Sequence, residues 1–175
     1  MRVGVVLLCV LVLVGCDGGE AMRVPASTDA QTIQVTSSAF SDGAEIPRAY
    51  TCQGDGGSPP LAWQGVPAQA ASLALVVSDP DAPSGTFVHW VLYDVQASDG
   101  AVPAGEAPPG AREADNSAGK RGWYPPCPPS GTHHYRFTVY ALGSPLTATG
   151  TQALLDEIGD VAVAQGTLTG LVRAR

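Results

Sequence analysis

The nine residues FVHWVLYDV, Phe87 to Val95, restrict this chain more than any other stretch. They are apolar on both faces of an extended strand and carry only His89 and Asp94 as interruptions. A strand of that kind belongs in the middle of a sheet covered on both sides. Two further segments match it. In ASLALVVSD, Ala71 to Asp79, residues Leu73, Leu75, Val77 and Asp79 share one face by the period of two, so Asp79 ends an apolar stripe. In HHYRFTVYAL, His133 to Leu142, the face is His133, Tyr135, Phe137 and Val139. Alternation puts His89, Val91, Tyr93 and Val95 on one face of the central strand, and His134 on the face opposite His133.

The connections favour β structure as well. The chain has 21 Gly and 15 Pro in 175 residues, the punctuation of a fold built from strands and turns. TIQVTSSAF, Thr32 to Phe40, alternates like a strand with Ile33 and Val35 on one face. Tyr50 to Trp63 reads as a loop, and Gln96 to Gly131 is a long weak stretch. GTQALLDEIGDVAVAQ, Gly150 to Gln165, is the one good helix, with Leu154, Leu155, Ile158 and Val161 as its stripe and Thr149 or Thr151 as cap. A short strand, GTLTGLV, closes the chain. The expected class is mainly β: a sandwich, or a β-rich fold with one late helix.

The N-terminus stands apart. Arg2 precedes a 13-residue apolar run, Val3 to Gly15, too short for a comfortable membrane span. It ends in LVGC, which resembles a bacterial lipobox. The expectation is a lipoprotein signal peptide over 1–15, a lipidated Cys16 opening a flexible tether over 16–31, and a folded domain over 32–175. That places the chain in the cell envelope, outside the cytoplasm, held to a membrane by lipid. Cys52 and Cys127 are then the thiols left, and an exported protein favours a disulfide between them over two separate buried thiols. The net charge of −7 argues against nucleic acid as a partner.

Chemistry-bearing residues gather near strand ends. Asp79 and His89 flank one loop, so antiparallel pairing of their strands brings both to one end of the sheet, where His133 and Tyr135 also start a strand. Four readings compete. A metal triad lacks HExxH or His-x-His spacing. A Ser-His-Asp hydrolase lacks G-x-S-x-G. Acid–base catalysis by Asp79 and His89 has no cofactor motif beside it. An anion pocket remains, with imidazole and phenol donors and Asp79 orienting a histidine.

YTCQGDGGSPPLAW, SDPDAPSGTFVHW, PPCPPSGTHHYRF and QGTLTGLVR, in this order from Tyr50 to Arg173, resemble the phosphatidylethanolamine-binding protein family, in particular its bacterial Raf kinase inhibitor-like branch. The resemblance covers Thr32 to Arg173. It implies an antiparallel β-sandwich with a C-terminal helix and short helical pieces. It also implies a small pocket for phosphate-like anions on Asp79, His89, His133 and Tyr135, with no catalytic residue, metal or cofactor. Pro80, Asp81 and Pro83 match the supporting turn, with unusual peptide geometry near Pro83. Trp63 and Trp90 are expected to pack. Two departures stand out. His134 replaces the usual arginine, and Pro125-Pro126 replaces Gly-Pro before Cys127, so any service that glycine's amide gives the anion is lost. Cys52 and Cys127 lie in the loops that carry these motifs, so a disulfide would pin both beside the pocket. The resulting expectation is a lipid-anchored, non-catalytic binding protein for a small anionic ligand, with phospholipid among the ligands. The rival is a module that binds or inhibits an unidentified protein, such as a protease or envelope enzyme, through a surface loop like Gln96 to Gly122.

Overall fold

The computed structural model describes residues 21–25 and 33–175. The expected signal peptide, Cys16 and all of the expected tether except 21–25 lie outside the described residues. The domain is a β-sandwich. Strands β1 (Gln34–Thr36), β2 (Leu61–Gln64) and β5 (Gly100–Val102) form one antiparallel sheet in the order β1-β2-β5. Strands β3 (Ser72–Asp79), β4 (Phe87–Val95), β6 (Arg112–Glu113), β7 (Thr132–Leu142) and β8 (Ala162–Arg173) form the other, in the order β6-β4-β3-β7-β8. The long apolar strands take the centre of the larger sheet, where both of their faces are covered. A 3₁₀ turn spans Arg48–Tyr50, and helix α1 spans Thr151–Val161.

Two apolar layers hold this together. Between the sheets, Leu73, Leu75 and Val77 of β3 meet Phe137 and Val139 of β7, Trp90 and Leu92 of β4, and Val35, Leu61 and Trp63 of the smaller sheet. On the outer face of the larger sheet, Ala74, Val76, Val88, Val91 and Tyr93 meet Leu154, Leu155 and Ile158 of α1. Alternation thus holds along β3 and β7. Trp63 and Trp90 are buried, and each donates its indole N–H: Trp63 to the Ser98 carbonyl at 2.9 Å, Trp90 to Glu113 Oε1 at 2.7 Å.

Alternation fails along β4. Val77 pairs with Trp90 and Ser78 with Val88, so His89 is an extra residue in a β-bulge; a second irregularity lies near Asp94, whose φ is +57°. His89, Val91, Tyr93 and Val95 therefore do not share a face. Val91 and Tyr93 pack under the helix, Val95 lies between the sheets, and His89 turns to the inter-sheet side. A bulge re-aims a side chain in just this way.

Three boundaries differ from the sequence expectation. The first strand is only Gln34–Thr36, and residues 61–63 at the end of the expected loop belong to β2. The helix stops at Val161, because Ala162–Gln165 joins β8, whose pairing with β7 runs from Leu142↔Ala162 to Thr132↔Arg173. Neither threonine caps the helix. Gly150 is the N-cap with no side-chain bond, and Thr151 Oγ1 donates to the Asp115 carbonyl at 2.8 Å.

Gly166 marks where β8 passes beneath β1. A Cβ there would overlap the Ile33 carbonyl oxygen, a backbone atom that cannot swing away. Gly166→Ala is therefore expected to cost about 2 kcal/mol, read as a shift in the urea midpoint with an unchanged slope.

Candidate functional site

Four of the residues singled out in the sequence converge. Asp79, His89, His133 and Tyr135 are all buried and line one open hollow of about 300 Å³ at the β3 C-terminal end. Ala82, Pro83, Phe87, Tyr124, Cys127, Pro128 and Pro129 complete its wall. Pairing of β3 with β4 and with β7 sets Asp79 opposite Phe87 and Ser78 opposite Arg136, which brings the three strand ends together.

Asp79 does two jobs at once. Its Oδ1 accepts the Asp81 N–H at 2.9 Å, closing an Asx turn, and its Oδ2 meets His133 Nδ1 at 2.7 Å. The turn is closed further by Gly85 N–H to the Ala82 carbonyl at 3.1 Å. No peptide bond among the described residues is cis, so the unusual peptide geometry expected near Pro83 is absent. Pro83 lines the hollow, while Pro80 and Asp81 do not. Asp81 faces outward, where its Oδ2 accepts from the His134 amide at 2.8 Å and meets His134 Nδ1 at 2.7 Å. The His134 side chain, then the coupled amide bond, hold the Asp81 carboxyl below its usual range. His134 thus braces the turn from the face opposite His133.

His89 is the unusual member. Its Nδ1 lies 2.7 Å from the Tyr124 carbonyl. A carbonyl only accepts, so Nδ1 carries the hydrogen, and Nε2 of the neutral ring is an acceptor. That Nε2 is buried and has no hydrogen-bond partner. Burial pushes the imidazole below its usual pKa, and the Tyr124 carbonyl and the Asp79 charge oppose this without cancelling it. Rings of Phe87 and Tyr135 stand 4.7 and 5.1 Å from the imidazole, with Tyr124 at 6.1 Å. Burial, and then the Asp79 charge, push the Tyr135 phenol well above its usual value, so it remains a donor.

The far wall is pinned covalently. Cys52 and Cys127 form a disulfide that closes a separation of 75 residues, and the Cys52 N–H donates to the Pro126 carbonyl at 3.0 Å. Pro125 is not among the lining residues; the space above Gly56 is filled by its ring. The sequence reading missed Phe87 and Tyr124. Phe87 opens β4 beside the loop and was legible as a strand end. Tyr124 acts through its carbonyl, which no side-chain pattern encodes.

Comparison with known proteins fits this arrangement. The family model described as "Phosphatidylethanolamine-binding protein" matches residues 36–173. The chain belongs to the phosphatidylethanolamine-binding protein family. The match takes in all four buried pocket residues and both cysteines of the disulfide. The "Putative lipoprotein LppC" of Mycobacterium tuberculosis is 41% identical over 185 residues, covering 94% of this chain and 91% of the relative. Two crystal structures superpose well. The phosphatidylethanolamine-binding protein homolog CT736 of Chlamydia trachomatis has a TM-score of 0.77 at 37% identity, covering 83% of this chain and all of that one. Escherichia coli YbcL, described as a member of the mammalian family, has a TM-score of 0.75 at 29% identity, covering 82% and 99%.

Proposed function

We propose that the chain is a lipid-anchored, non-catalytic binding protein whose pocket takes a small phosphate-like anion. The observation that carries this is His89 Nε2: a buried ring nitrogen without a partner in the wall of an open hollow. Leaving such a group unsatisfied costs about 1–3 kcal/mol; a ligand hydroxyl can donate to it, and once the ring takes up a proton Nε2–H can donate to an anionic oxygen. Tyr135 supplies a phenol donor, and Asp79 orients the His133 ring. Binding is favoured over catalysis because the other reactive groups in the wall are engaged. The Asp79 carboxylate is spent on His133 and on the Asp81 amide, and Cys127 is locked in the disulfide. The lipid anchor rests on LVGC before Cys16 and on the similarity to a relative described as a lipoprotein.

The sign of the pH dependence follows. Free His89 is neutral near pH 7 and is held below its usual pKa. A bound anion favours the imidazolium, so its pKa is higher in the complex than in the free ring, and binding takes up a proton and tightens as pH falls through the interval between the two. The test is thermal shift and calorimetry with sulfate, which does not titrate in this range, beside inorganic phosphate and acetate. A larger midpoint rise with sulfate at pH 5.5 than at pH 8 is expected, and His89→Gln should flatten that slope. No shift with any anion at either pH would sink the pocket reading.

A further inference from the structure

Residues 21–25 are laid against the folded domain. The Arg23 backbone is clamped by one carboxamide: its N–H donates to Gln152 Oε1 at 2.9 Å, and Gln152 Nε2 donates to its carbonyl at 3.1 Å. Met22 and Val24 pack on the apolar layer beneath α1, and the Pro25 carbonyl accepts from Tyr140 Oη at 3.5 Å. Ala21 reaches the loop between β3 and β4, where a Cβ on Gly85 would stand 2.6 Å from its methyl group. Ala21 and Met22 share a hollow with Ala82 to Phe87 and Ser117. Ala82, Pro83 and Phe87 are also wall residues of the anion pocket.

We propose that this strap turns the 82–87 rim of the pocket, with the adjoining turn 117–121, toward the membrane as a headgroup-facing surface. The proposal rests on the lipid anchor at Cys16. Only four residues, Asp17 to Glu20, lie between Cys16 and Ala21, so the five Cα steps reach at most about 18 Å. A tether free along its length would leave the domain free to tumble. Docked at 21–25, it fixes which edge lies nearest the lipid. Charge at that edge is mixed: Asp17 and Glu20 precede the strap, exposed Asp81 adjoins the rim, and Arg121 Nε lies 3.9 Å from Asp115 Oδ1. The chain has nine Lys and Arg against 16 Asp and Glu, yet Arg23 lies in the strap, and exposed Lys120 and Arg121 end the turn that begins at Ser117. Ser117 ties that turn to β4 through Ser117 N–H to the Val88 carbonyl at 2.9 Å and Val88 N–H to Ser117 Oγ at 2.8 Å. Arg23 and Lys120, which form no ion pair among the described residues, suit an anionic headgroup layer.

The test uses the full chain, expressed in a bacterial host and purified from its membranes. It is reconstituted in phosphatidylethanolamine–phosphatidylglycerol vesicles carrying a headgroup-spin-labelled lipid. A fluorophore is placed on exposed Ser84→Cys at the rim, or on exposed Gln69→Cys beyond the opposite end of β3. We expect at least threefold stronger quenching at position 84 than at 69. Gln152→Ala, alone and with Val24→Asp, should bring the two together; alanine suits a helix, so the single variant keeps α1 intact. Mass of the N-terminal peptide is read on the same sample. A Cys16 peptide without lipid removes the anchor and the proposal with it. Lipid on Cys16 with equal quenching at 84 and 69, or with a difference that survives both strap variants, overturns the proposal and leaves the anchor standing.

Discussion

Replacing Cys52 and Cys127 together by alanine is expected to cost about 4 kcal/mol and to lower the thermal midpoint by roughly 10 °C. The cross-link closes a separation of 75 residues, so its removal frees the unfolded chain over a long loop. Packing contributes little, since both cysteines are exposed and alanine leaves no buried void. The native loops stay joined by the Cys52 N–H to the Pro126 carbonyl and by Trp123 Nε1 to the Gly56 carbonyl at 2.9 Å. The far-ultraviolet spectrum should therefore be unchanged while the midpoint falls, and reductant should lower the wild type to the variant's midpoint. A midpoint change under about 2 °C would show that the bridge is not formed or constrains nothing.

The second large effect is at Asp79. Asp79→Ala is expected to cost about 3 kcal/mol, because two partners are stranded at once. His133 Nδ1 loses its acceptor inside a buried site, and the Asp81 N–H loses the oxygen that closes the turn. An orphaned buried polar group costs about 1–3 kcal/mol, and a side-chain bond that holds a local turn adds about 1 kcal/mol, as a lost cap does. Asp79→Asn separates the two roles. Its amide oxygen can still close the turn, so about half of the loss should return. Chemical denaturation of both variants reads the order. Equal losses in alanine and asparagine would place the whole effect on the His133 pairing.

Much of the site was legible before the structure, for a reason tied to strand geometry. Along β3 and β7 the period of two is unbroken, so Asp79 and the pair His133 and Tyr135 could be set on the core face and at strand ends from the pattern alone. His134 on the opposite face followed from the same rule, although its bond to Asp81 did not. Where the period breaks, the reading broke. Strict alternation groups His89 with Val91 and Tyr93, from which the bulge separates it, and the helical pattern runs on into residues that β8 claims.

The class, the family, the central strands and the identities of Asp79, His89, His133 and Tyr135 can be read from the linear chain. These rest on local periodicity and on short motifs, which a linear string holds in full. The use of His89 depends on packing. The bulge opposite Val77 and Ser78 turns its ring inward, and the carbonyl of Tyr124, 35 residues away in sequence, takes the Nδ1 hydrogen and leaves Nε2 without a partner. A bulge is a property of two strands in register, and a backbone carbonyl has the same chemistry whatever residue carries it. Both come into being only when separate segments are packed together.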